Sequence, residues 1–72
     1  MVIKDLIYRM QNQLSGVTNV PSLEARLLLG KALNRDEIFI LTHQDMPLSD
    51  EQTTSAMLLL EQRINHRPMA YI

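Results

Sequence analysis

The chain of 72 residues contains no cysteine and no tryptophan, and only one phenylalanine, two tyrosines, two glycines and three prolines. Without cysteine there is no disulfide, no thiolate metal site and no thiol redox chemistry, and a reducing, cytoplasmic setting is expected. The two glycines, Gly16 and Gly30, stand alone, so no glycine-rich turn is available to cradle a cofactor phosphate. Charge of one sign is also lacking. Seven basic and eight acidic residues leave a formal net charge of -1, which gives no field for a nucleic-acid backbone or an anionic membrane surface. No apolar run approaches the ~20 residues of a membrane span, and the start, Met1 to Asp5, has neither the charged region nor the apolar stretch of a signal peptide.

What is present is a globular composition, 46% hydrophobic and 21% charged. A chain of this size buries only about 60% of its unfolded surface, so it must spend most of its apolar residues on one core, with few left to line a cavity.

The apolar spacing predicts an all-α fold, a small bundle of four to five helices. Ile3, Leu6, Ile7, Met10 and Leu14 recur at three and four, with Lys4, Asp5, Arg9, Gln11 and Asn12 between them, giving a first amphipathic helix. Gly16 is placed for a left-handed cap at its end, and residues 17–21 read as a loop. A second helix opens at Pro21 and Ser22, with Ser22 as its cap and Glu24 facing the positive end of the dipole, and runs to about Leu33. Ala25, Leu28, Leu29, Ala32 and Leu33 cover one side of it while Leu23 and Leu27 lie on the other, the pattern of a central helix.

Asn34 suits a left-handed stop and also a cap for a third helix starting near Arg35, with Glu37 as the acid of a capping box. Ile38, Phe39, Ile40 and Leu41 alone are as compatible with a buried strand. With no second strand to pair, a short helix whose four apolar residues plug the core is the better reading. After a turn around Pro47, Ser49 and Gln52 form a Ser-x-x-Gln capping box with Asp50 and Glu51 in the first turn. This fourth helix is expected to reach about His66, because Pro68 drives Arg67 out of the helical region. Its core face is Ala56, Met57, Leu60 and Ile64, which leaves Leu58 and Leu59 surplus. The closing residues 68–72 are apolar and carry no polar cap, as where a longer chain has been cut, and could form a fifth short turn.

Catalytic constellations are scarce. His43 and His66 are the only imidazoles and read as solvated surface residues, with no ligand-spaced partner beyond Asp45 beside His43. The pairs Asp36–Glu37 and Asp50–Glu51 fall in first helical turns, where acids complement the dipole, so they do not argue for glycoside chemistry. A helix-turn-helix reading fails because the second of the two helices would offer Ile38, Phe39, Ile40 and Leu41 where donors to base edges are needed. Ser22-Leu23 at a helix start resembles the modified serine of acyl carrier proteins, but Pro21 stands where those have Asp, and Arg26 and Lys31 break their acidic recognition helix. The five methionines are scattered and suit core filling.

Glu24-Ala25-Arg26-Leu27-Leu28-Leu29, Arg35, Leu48-Ser49-Asp50-Glu51-Gln52 and Arg63 followed by Pro68-Met69-Ala70-Tyr71-Ile72 together resemble the N-terminal region of the HemK/PrmC family, the release factor glutamine methyltransferases. The resemblance covers nearly the whole chain, and its strongest part is the closing Arg-x-x-x-x-Pro-x-Ala-Tyr-Ile. It implies a small helical domain, residues 1–72, preceding a Rossmann-like catalytic domain. That domain binds S-adenosylmethionine and methylates the Gln of the Gly-Gly-Gln motif in peptide chain release factors, a step in translation termination. The cofactor loop and the Asn-Pro-Pro-Tyr motif lie outside these residues. The fragment is therefore expected to be non-catalytic, with no cofactor or metal of its own, and to help hold the release factor and set its orientation relative to the catalytic domain. Leu58, Leu59, Arg63, His66, Arg67, Tyr71 and Ile72 are the candidates for those contacts. The competing readings are a free-standing protein-interaction domain and, more remotely, an acyl-carrier-like protein.

Overall fold

The computed structural model describes residues 1–65. It is an all-α bundle in which four helices, α1 (Ile3–Leu14), α2 (Pro21–Leu33), α3 (Glu37–Thr42) and α4 (Asp50–Ile64), follow one another in that order. The helix α2 lies in the middle, packed on α1, α3 and α4, while α1 also meets α4. The fifth turn expected over residues 68–72 lies outside the described residues.

Periodicity accounts for α1 to the residue. Ile3, Leu6, Met10 and Leu14 are all buried. They interlock with Ala25, Leu28 and Leu29 from α2, Ile40 from α3, Leu48 from the connecting turn, and Ala56 and Leu60 from α4. The start of α1 has no side-chain cap. Its first donors are satisfied across the molecule instead, Ile3 N–H by the Met46 carbonyl at 3.1 Å and Lys4 N–H by the Gln44 carbonyl at 3.0 Å. Leu48 N–H returns to the Met1 carbonyl at 2.8 Å, and Val2 and Pro47 form an antiparallel bridge.

Several local details differ from the sequence reading. Gly16 is not a left-handed cap: no glycine among the described residues has positive φ, and α1 ends through Ser15, whose backbone stays right-handed and whose hydroxyl donates to the Asn12 carbonyl. Ser22 does not cap α2. The helix begins one residue earlier with Val20 as the cap and Pro21 in its first turn, a site where the missing N–H costs nothing. Leu23 and Leu27 stay exposed at 38% and 44%, because all three neighbours of α2 crowd its other faces.

Asn34 does adopt the left-handed conformation, φ 56° and ψ 45°. It closes α2 with Arg35 N–H on the Gly30 carbonyl at 2.8 Å and its own N–H on the Lys31 carbonyl at 3.2 Å. It does not cap α3. That role falls to Asp36, whose carboxylate accepts from Phe39 N–H at 2.8 Å, so α3 starts at Glu37 and no capping box forms there. The core plug is also smaller than expected. Only Ile40 is buried, Phe39 packs at the edge, and Ile38 and Leu41 are exposed at 69% and 46%, since six residues present one inward stripe and no more.

The capping box of α4 forms as its spacing predicts. Ser49 Oγ accepts from Gln52 N–H at 3.1 Å, and Gln52 Oε1 accepts from Ser49 N–H at 2.9 Å. Ala56 and Leu60 are fully buried, with Met57 and Ile64 packed beside them. The helix ends at Ile64, short of the expected His66, with Asn65 as its cap.

Candidate functional site

One polar contact stands out from the apolar interior. Glu24, in the first turn of α2, retains only 6% of its exposure. Arg63, in the last turn of α4, approaches it with two nitrogens, Nε to Oε1 at 2.5 Å and Nη2 to Oε2 at 3.3 Å. The two residues are 39 positions apart in sequence. A planar guanidinium meeting a carboxylate at two points fixes both distance and orientation. The arrangement also complements both helices, an anion near an N-terminus and a cation near a C-terminus.

Burial pushes the Glu24 carboxyl up, but hydrogen bonds from Arg63 and Thr18, with the charge of Arg63, outweigh it and hold the group below its ordinary value of 4.5. A carboxyl depressed on folding stabilises the native state in full above its unfolded value, and that contribution is lost as pH falls through the lower folded value. Breaking a fully buried pair costs about 3–5 kcal/mol, and since Arg63 keeps 17% of its side chain in solvent, roughly 2 kcal/mol is expected for Glu24→Gln. Thermal melts followed by circular dichroism should therefore show a gap between the two proteins that is widest at neutral pH and closes on acidification below about pH 4.5. A gap independent of pH would contradict the pairing.

Beside this pair, α4 carries the surface residues of interest. Leu58 is 55% exposed. It borders a shallow apolar groove between α1 and α4, with Gln13, Met57, Glu61 and Ile64 around it. Leu59 turns inward and packs against the core. Arg63 is engaged by Glu24, so among Leu58, Leu59 and Arg63 only Leu58 presents a free apolar side chain to solvent. His66, Arg67, Tyr71 and Ile72 lie outside the described residues.

Elsewhere the polar residues are occupied locally. Arg26 donates to Glu37 at 3.0 Å and to the Ser22 hydroxyl at 2.7 Å, joining α2 to α3. His43 is exposed but not loose. Its ring stacks on Phe39 with centroids 3.9 Å apart, and its Nδ1 lies 2.9 Å from the Phe39 carbonyl at the end of α3. The Arg35 guanidinium also lies over the Phe39 ring, 5.0 Å from its centroid. Lys4 and Asp45 pair at 3.0 Å in full solvent, a contact that adds little. No group of His, Cys, Asp and Glu among the described residues is placed to hold a metal ion. No helix among them is long and apolar enough to cross a membrane.

The ion pair is what sequence reasoning missed, although both members belong to the motifs that carried the resemblance. A signal was present. At ~100° per residue Arg63 falls on the stripe of Ala56 and Leu60, and Glu24 on that of Leu28, so each is a charge on a core-facing line.

Comparison with known proteins places the sequence in a family. The PrmC N-terminal domain family matches residues 5–72. A release factor glutamine methyltransferase of Clostridium botulinum is 34% identical over 73 residues, covering all of this chain and 26% of its own length. Bifunctional methyltransferases of Rickettsia bellii and Rickettsia typhi are 35% and 34% identical, covering 90% and 97% of this chain but only 11% and 14% of their own. No solved structure matches the chain. The chain thus spans about a quarter of the Clostridium relative, and with the family match running over nearly all of its residues it belongs to the PrmC N-terminal domain family.

Proposed function

We propose that this chain is the N-terminal domain of a cytoplasmic protein-(glutamine-N5) methyltransferase acting on peptide chain release factors, and that it serves as a non-catalytic module that orients the protein substrate. The observation that carries this reading is the family match over residues 5–72, together with full coverage by a relative named as a release factor glutamine methyltransferase. S-adenosylmethionine would be the methyl donor of the whole enzyme. The described residues do not fit it. Gly30 lies inside α2 with the Arg35 carbonyl filling the space beside it, and Gly16 follows α1 with no strand before it, so neither makes a phosphate- or nucleoside-binding turn. In this reading the cofactor and the methyl-transfer chemistry are assigned to the remaining length of the enzyme.

A release factor is a large substrate, and its Gln side chain must be held in line with the methyl donor. Binding energy gathered on a separate surface is one way to supply that orientation. The exposed Leu58 and the groove beside it, on the same helix as Arg63, offer such a surface among the described residues. Leu58→Asp in the full-length enzyme is expected to lower kcat/KM for an intact release factor about tenfold, the scale of one truncated interface anchor. Activity on a short Gly-Gly-Gln peptide should be unchanged. Parent-level activity of the variant on both substrates would remove this face from the recognition surface.

A further inference from the structure

We infer that Glu24 and Arg63 are positioning residues: their ion pair fixes the last turn of α4 against the start of α2, and so sets the direction in which the chain leaves the bundle. Three observations carry this. Past Leu60, α4 has no fully buried apolar residue, and its final turn meets the core through Ile64 alone, which is only partly covered. The start of α2 has no side-chain cap, and Glu24 is the first buried residue of that helix. The pair joins these two weakly held ends with a two-point contact that a single apolar contact or a lysine could not reproduce.

Energetics point the same way. A buried ion pair is commonly no more stabilising than well-packed apolar residues of similar volume, because desolvation offsets the attraction. What charge adds over packing is a defined orientation. A rotation of the last turn of α4 would swing whatever follows residue 65 relative to Leu58, on the same helix, and to the rest of the bundle. The consequence for activity rests on the function proposed above, whereas the consequence for geometry does not.

The test uses the absence of cysteine, which allows two nitroxide labels at Arg9→Cys on the exposed face of α1 and at Asn65→Cys, the exposed cap that ends α4. Pulsed electron paramagnetic resonance then reads the distribution of distances between them in the 72-residue chain. A narrow distribution is expected for the parent, and at least a doubling of its width for Arg63→Lys and for the apolar replacement Glu24→Leu with Arg63→Met. The second variant is expected to keep its melting temperature close to the parent's, which separates orientation from stability, and Arg63→Lys serves should the double variant fail to fold. An unchanged width in a folded variant, or a broad distribution in the parent, overturns the inference. In the full-length enzyme the same variants should lose about tenfold in kcat/KM on an intact release factor, with a short Gly-Gly-Gln peptide unaffected, since misplacement of a substrate costs rate without altering the chemistry. If the label distances behave as expected while the full-length enzyme methylates no release factor, the proposed function falls and the positioning role of the pair stands.

Discussion

Leu28→Ala is expected to destabilise the protein by about 2–5 kcal/mol, the cost of lost transfer energy plus a residual cavity at a fully buried site. Leu28 is 0% exposed and lies where α2 meets the core residues of α1 and α4. A chain of 72 residues has a total stability of only roughly 4–11 kcal/mol, so this single truncation removes a large share of it. The melting temperature should fall by roughly 10–30 °C. The adjacent Leu27→Ala removes the same atoms from a side chain that is 44% exposed, and less than about 1 kcal/mol is expected. Urea titrations of the two variants check this, with the midpoint shifted strongly for one and little for the other while the slope is unchanged. Similar losses for both would mean that the inward face of α2 is not the one described.

The two glycines should respond to alanine with opposite signs, although simple helix propensity predicts the reverse emphasis. Gly30 sits within α2, where alanine would ordinarily gain about 1 kcal/mol. Yet a Cβ there would lie 2.7 Å from the Arg35 carbonyl oxygen, a backbone atom held by the left-handed turn at Asn34. The turn would have to shift, breaking the Arg35 to Gly30 hydrogen bond or displacing α3, at a cost of about 1–3 kcal/mol that exceeds the propensity gain. Gly16 follows the end of α1 with a negative φ and nothing within 4 Å of its Cβ position. Alanine there should stabilise by about 0.4–1 kcal/mol through the unfolded chain. Melts of Gly30→Ala and Gly16→Ala should therefore move in opposite directions, and a stabilised Gly30→Ala would contradict the close approach.

The parts of this fold that were legible in sequence are those whose signals are local. The buried stripe of α1, the capping box of Ser49 and Gln52, and the left-handed Asn34 each depend on residues within one or two turns of one another. The third helix was harder, because Asp36 and Asn34 are both competent caps and only the tertiary path of the chain selects Asp36. Likewise Leu23 and Leu27 look like a second core face until the placement of three neighbouring helices leaves them in solvent. Of the residues proposed for contacts, Leu59 and Arg63 turn out to be committed inward, Arg63 through Glu24 on α2, far away in sequence. Pattern on a helix says which side a residue takes, not which partner waits there.

The way α1 begins has a consequence for how the molecule breathes. A helix whose first amides are held by its own cap can stay folded by itself, but Ile3 and Lys4 donate to Met46 and Gln44 on the segment that leads into α4. Their exchange with solvent deuterium is therefore governed by opening of that distant segment and not by fraying of the end of α1. Ile3, Lys4 and Leu48 should form one cooperative unit with a common opening free energy, so that loosening the turn around Pro47 releases the start of the first helix at the same moment.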